Sequence, residues 1–347
     1  MNIQRFVPGS ARVVRGAAVA VAIVVLAACG TSKPKPAELP PKAEVLGVRQ
    51  AWSFQVAPVG YALVANVSGD VVTVAGTNGT VVAIDARNGK EMWRTKIDGA
   101  VLAGVGSDGS VAAVITKENE LIALQNGKVL WKQKLSAETF TPPLVAGRRV
   151  FVQTADRTTT AWDGQSGRRL WVQTRTGDNL VLKRPGVMLA VGDTLVTGVG
   201  GRLVGMNPSN GSSRWEAPIA SPRGTNDVER LVDLTGTVAR QDNILCARAY
   251  LATIGCVDTS RGVLLWTKTA QGSDGLSGDD RALYGTESNG VVTAWRRTDG
   301  ERLWSVDTYK YRSLTAPLAV GRTLIVGEGT GQVLFLNRED GAEVNRV

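Results

Sequence analysis

One phrase recurs along this chain in variants at intervals of about forty residues. It begins as AIDARNGKEMW, ending at Trp93, and returns as ALQNGKVLW (Trp131), AWDGQSGRRLW (Trp171) and GMNPSNGSSRW (Trp215). CVDTSRGVLLW (Trp266) and AWRRTDGERLW (Trp304) follow. A degenerate seventh, FLNREDGAEV, places Val344 where the tryptophan is expected. A period of this length, carried by short strands and turns, constrains the fold more than any other feature of the chain.

Each repeat reads as two strands joined by a tight turn. Val81–Ile84 and Val291–Trp295 are short apolar or β-branched runs that lead into glycine-bearing turns. Asn88-Gly89 and Asp299-Gly300 are strong hairpin dipeptides, because glycine takes positive φ without a steric penalty. Two further strands lie upstream, clearest around Pro143–Gly147 with Val150–Val152, and Pro317–Gly321 with Leu324–Val326. Forty glycines match this number of turns, and no amphipathic helical period of ten residues appears after residue 29. The expected fold is all-β: a β-propeller of four-stranded antiparallel blades.

Seven of the nine tryptophans (Trp52, Trp93, Trp131, Trp171, Trp215, Trp266 and Trp304) share the repeat register. They could form a stacking platform for a sugar or quinone. One residue per repeat at a fixed register is instead how stacked units bury a shared face, so we read each ring as a wedge between its blade and the next. Trp162 and Trp295, on the strand before the turn, read as packing residues.

Trp52, within Arg49–Val56, looks like the outer strand of a blade whose inner strands are missing. An N-terminal strand that completes the last blade removes exposed sheet edges. The seventh repeat already has its own outer strand, Glu343–Val347. Either the sequence lacks about one blade, or seven blades close with Arg49–Val56 replacing or flanking the final strand.

The N-terminus is built for export. Arg5, Arg12 and Arg15 precede the apolar run 16–26, which ends in LAACG at Cys29. The run is short for a membrane span, and a small-residue site ending in cysteine resembles the bacterial lipobox. This predicts a signal peptide over 1–28, lipidation at Cys29, a Pro/Lys-rich tether over 29–47 and one propeller domain over 48–347. Gly30 follows the cysteine, which favours the periplasmic face of an outer membrane. Removal of the three arginines leaves a mature net charge of +6, spread along the chain, which argues against a nucleic-acid surface. Cys246 and Cys256 then remain, opposite each other about Leu251 on one hairpin. An exported chain allows a disulfide between them; two small buried thiols are the alternative.

There is no histidine, which removes Ser-His-Asp and Cys-His nucleophiles, histidine metal sites and the commonest general base. Neither a Walker loop nor a dinucleotide fingerprint is present. Asp85, Asp98, Asp163, Asp258, Asp299 and Asp340 occupy turns, where local backbone bonding accounts for them. No enzyme activity, cofactor or metal is expected.

Function must lie where the repeat breaks. The tryptophan spacings are 41, 38, 40, 44, 51 and 38. The two longest are consecutive, and both extra segments fall between an outer strand and the next inner strand. They should therefore meet on one face of the propeller as a binding surface. The first is TGDNLVLKRPG, residues 176–186, and the second is SPRGTNDVERLVDLTG, residues 221–236. Leu180, Leu182 and Leu234 offer apolar anchors; Lys183, Arg184, Glu229, Arg230 and Asp233 offer a rim of mixed charge suited to a protein partner. Alternatively, Leu180 and Leu182 begin an inner strand and belong to the core, and Arg230 pairs with Asp233.

The repeat, D-x-x-x-G-x-x-x-W in outline, resembles the tryptophan-docking motif of pyrroloquinoline-quinone-type propellers over nearly the whole mature chain. Enzymes of that type use adjacent cysteines and specific carboxylates, and this chain has no adjacent cysteine pair. The lipobox, tether, single small propeller and ERLVDL segment (Glu229–Leu234) together resemble the BamB family of lipoproteins in the outer-membrane β-barrel assembly machinery. That resemblance implies eight blades, of which this chain shows seven plus the N-terminal closing strand. It further implies a monomeric scaffold docked on the periplasmic POTRA domains of BamA, assisting unfolded outer-membrane proteins. Its partner-contact positions map to Leu180, Leu182 and Lys183, then Glu229, Arg230 and Asp233. A periplasmic quinone-type or sugar-binding propeller, or a sensor of cell-wall fragments, are the competing readings.

Overall fold

A computed structural model describes residues 34–60, 64–176, 180–222, 225–226 and 231–347. Within them lie seven four-stranded antiparallel sheets, each running in sequence order from first strand to fourth. The blades span 66–96, 101–134, 144–174, 188–218, 234–269, 277–306 and 318–346. First strands and the residues that lead into them, among them Asn66, Leu144, Met188 and Thr237, line a central cavity of about 930 Å³. The largely apolar middle strands, such as Val111–Thr116 and Glu120–Gln125, are buried on both faces and fill the spaces between neighbouring blades.

The register explains the repeat. In every blade the pairing of third and fourth strands shifts by one residue, at Ala83/Ile84 in the first and Ala294/Trp295 in the sixth. This bulge directs each tryptophan over a small residue opposite it: Ala83, Ala123, Ala161, Gly205, Cys256 or Ala294. Each ring then reaches the next blade's turn and lies against its positive-φ glycine. Trp131 meets Gly167, Trp171 meets Gly211 and Trp304 meets Gly341. The indole N–H of Trp131 donates to Gly164 O at 3.0 Å, Trp171 to Pro208 O at 2.9 Å, Trp266 to Arg297 O at 2.9 Å and Trp304 to Arg338 O at 3.1 Å. Trp93 and Trp215 make the ring contact with Gly127 and Gly262. Each of these rings thus stands between its own blade and the turn of the next.

The seventh blade corrects one sequence assignment. Counted from the turn glycine, the tryptophan position after Gly341 is Asn345, not Val344, and Asn345 pairs with Phe335. A large ring thus stands where the other blades have a small residue, across from an asparagine. The buried Asn345 amide donates to Leu46 O, while Val344 O accepts the Val45 and Leu46 N–H groups at 3.0 Å. Ala37 N–H donates to Lys310 O at 2.9 Å, Arg346 donates to Pro40 O at 2.9 Å, and Leu39 packs on the core shared by the last two blades. The compact body therefore begins at Ala37, and the second half of the expected tether is fastened to the seventh blade.

The same segment continues to the first blade. Trp52 occupies the docking position there, its ring on Gly89 and its N–H 2.8 Å from Ala86 O, with Phe54 and Val56 beside it on Val74, Val82 and Ile84. Arg49–Val56 closes by side-chain docking and forms no sheet strand. Six core clusters each join one pair of consecutive blades, from the first and second to the sixth and seventh. Among the described residues, the cluster on the first blade's remaining face holds Trp52, Phe54 and Val56 where the others have a neighbouring blade.

Cys246 and Cys256 are directly paired on the second and third strands of the fifth blade, both fully buried, and are joined as a disulfide. Leu251, at φ 50°, sits in the middle of the three-residue hairpin loop. Bridging residues ten apart lowers unfolded-chain entropy by an amount equivalent to about 2–3 kcal/mol. The double variant Cys246→Ala/Cys256→Ala should lower the urea midpoint accordingly; an unchanged midpoint would show that the cross-link does not stabilise the blade.

Candidate functional site

The two inserted connections follow the third and fourth blades and meet as their spacing predicts. The Leu182 N–H donates to Asp233 Oδ2 at 2.8 Å, Gly236 N–H donates to Pro185 O at 2.9 Å, and Gly186 forms an antiparallel bridge with Thr235. Gly186 N–H also donates to Thr141 Oγ1 at 3.0 Å, which brings in the connection before the third blade. The inner strand of the fourth blade begins only at Met188, so neither Leu180 nor Leu182 belongs to it. Leu180 is 40% exposed and Leu182 half-buried, an arrangement that leaves apolar surface available at the edge of the propeller.

The charged residues separate into two groups. Lys183 is exposed, its ammonium 5.6 Å from the centre of the Phe140 ring. Arg184 is directed to the mouth of the central cavity, where it pairs with Asp274 at 3.3 Å and lies over the Tyr250 ring at 5.4 Å. Asp233 is half-buried, and burial pushes its carboxyl above the ordinary range against the opposing pull of the Leu182 N–H and Arg157. Leu234, proposed as an anchor, is 2% exposed and belongs to the core between the fourth and fifth blades. Glu229 and Arg230 lie outside the described residues, as does any pairing of Arg230 with Asp233.

A cleft of about 500 Å³ flanks the surface, bounded by Leu180, Pro222, Leu231, Val232, Arg202 and Arg157. Its floor includes the ion pair of Arg175 and Glu216, which joins the third and fourth blades. Phe140 is the contributor that sequence reasoning missed. It sits in a connection of ordinary length, so the spacing rule that exposed the two insertions gave no signal there.

The turn carboxylates behave as local structure. Asp85 accepts the Arg87 side-chain and backbone N–H groups and is held at about 2; Asp258 is held at about 2 by the Ser260 hydroxyl and Arg261. Among the described residues, no three Asp, Glu, Cys or His side chains gather as a metal site.

Comparison with known proteins accords with this arrangement. The family model described as outer membrane protein assembly factor BamB matches residues 48–105 and 77–306. The BamB of Burkholderia pseudomallei is 36% identical over 337 residues, covering 95% of this chain and 88% of that protein. The BamB of Bordetella pertussis is 33% identical over 342 residues, covering 96% and 89%. The crystal structure of BamB from Moraxella catarrhalis superposes with a TM-score of 0.74 at 26% identity, over 84% of this chain and 87% of that one. Repeat register, blade architecture and sequence relationship converge: the chain belongs to the BamB family of outer membrane protein assembly factors.

Proposed function

We propose that this protein is a non-enzymatic scaffold of the outer-membrane β-barrel assembly machinery. Lipidated at Cys29 and held on the periplasmic side of the outer membrane, it docks on the POTRA domains of BamA and assists the assembly of barrel proteins. The observation that carries the reading is the joining of two inserted connections into one surface. The joined segments present Leu180, Leu182 and Lys183 together, a mix of apolar anchor and exposed charge typical of protein interfaces. Glu229 and Arg230 are assigned to the same surface from their place in the second insertion. Belonging to a family of assembly factors supports the machinery as the setting.

Calorimetric titration of the detergent-solubilised full chain with the POTRA region of BamA tests the docking step. Saturable one-to-one binding is expected. Leu180→Asp should weaken it at least tenfold, about 1.4 kcal/mol, while melting like the parent, because the residue is exposed and outside any strand. Arg230→Glu should act in the same direction. No binding by the folded parent protein would remove the POTRA assignment.

A further inference from the structure

The exposed end of the first insertion has little backbone support of its own. Among the described residues, residues 180–184 make no backbone–backbone hydrogen bond to the blades. Among the described residues, Leu180 O receives a long bond, 3.4 Å, from Arg157, and the Leu182 N–H donates a short one, 2.8 Å, to Asp233. Asp233 is itself firmly placed. The next residue, Leu234, is buried and starts the inner strand of the fifth blade, and the Asp233 carbonyl accepts the Tyr250 N–H at 3.0 Å.

We infer that Asp233 is a positioning residue of the docking surface rather than a partner contact: its carboxylate clamps the Leu182 amide and thereby sets where Leu180 and Lys183 are presented. The inference rests on the docking function proposed above for this surface. The geometry gives Asp233 an inward task, because its Oδ2 is taken up by the half-buried Leu182 amide of the same surface. The cost of burying that carboxylate is the expected consequence of such an inward position. A residue that fixes a loop edge changes the conformational entropy lost on binding, so it influences affinity without touching the partner.

Two conservative variants separate the roles. Asp233→Asn keeps an oxygen acceptor at the same distance and removes the charge. Asp233→Glu keeps the charge and moves the acceptor by one methylene. Amide hydrogen exchange of the free full chain should show Leu182 protected in the parent and in Asp233→Asn, and exchanging at least tenfold faster in Asp233→Glu. Titration with the POTRA region should follow the same order, with Asp233→Asn within threefold of the parent and Asp233→Glu weakened at least tenfold. The opposite order of affinities, with glutamate tolerated and asparagine not, would establish a charge contact and overturn the inference. So would Leu182 exchange that is unchanged in Asp233→Glu. If the parent fails to bind but the exchange order holds, the docking assignment fails and the clamp stands.

Discussion

Trp131→Ala should destabilise the protein by about 3–5 kcal/mol, the range for deleting a large buried aromatic. The ring is 8% exposed, lies within the core joining the second and third blades, and ends in a hydrogen bond to Gly164 O. Its removal loses apolar burial, opens a cavity at a blade junction and leaves that carbonyl without the indole donor. The receiving side of the joint should be nearly as sensitive. Gly167 is at φ 69°, where a side chain is strained, and an added Cβ would fall 2.6 Å from the ring carbons of Trp131. Gly167→Ala should cost about 2–4 kcal/mol from backbone strain and overpacking together. Because both changes act on one contact, the double variant should cost clearly less than the two singles added, by about 1–2 kcal/mol. Urea denaturation of the four proteins measures this; strict additivity would mean that the ring and the turn are not the wedge and slot described.

The second large effect lies between the fifth and sixth blades. Arg248 is fully buried; it donates to Thr286 O at 2.9 Å and to Glu287 Oε1 at 3.1 Å, and its guanidinium lies 5.8 Å from the Trp295 ring centre. Burial pulls its pKa down while Glu287 holds it up. The site is built for this group: a Cβ on Gly272 would fall on the guanidinium, so the absence of a side chain there is a matter of space. Arg248→Leu should cost about 3–5 kcal/mol, since Glu287 keeps a half-buried charge with its cation gone. Arg248→Met/Glu287→Gln should recover most of that loss, because a glutamine oxygen can still accept the Gln271 N–H that Glu287 Oε2 receives. Thermal melts of the single and double variants decide it. If the double variant is no better than the single one, the loss comes from packing around the arginine stem instead of the stranded carboxylate.

These two joints differ in how far they could be read in advance. The tryptophan joint is local in register: one residue, four places after a turn glycine, repeated along the chain. Arg248 has no counterpart in the other repeats, and its partner is 39 residues away, so nothing in the pattern marks it. The same contrast runs through the docking surface. The long spacings before Trp215 and Trp266 locate both insertions, and blade order alone makes them neighbours. Which side chains face outward does not follow from that. Arg184 and Asp233 are as polar as Lys183, yet Asp274 ties Arg184 to the cavity mouth and the Leu182 amide engages Asp233, and Phe140 joins from a connection of normal length.

The sequence by itself determined the fold class, the blade period, the tryptophan wedges, the hairpin that pairs Cys246 with Cys256, and the place of the two insertions. All of these rest on periodicity and turn chemistry within about forty residues. Tertiary structure decided the rest. It fastened residues 37–46 to the last blade and brought Trp52 onto Gly89 of the first. Asn345 holds Leu46 across 299 residues of chain. A contact of that kind exists only once the blades have closed around it, because no local preference of either segment encodes the other's position.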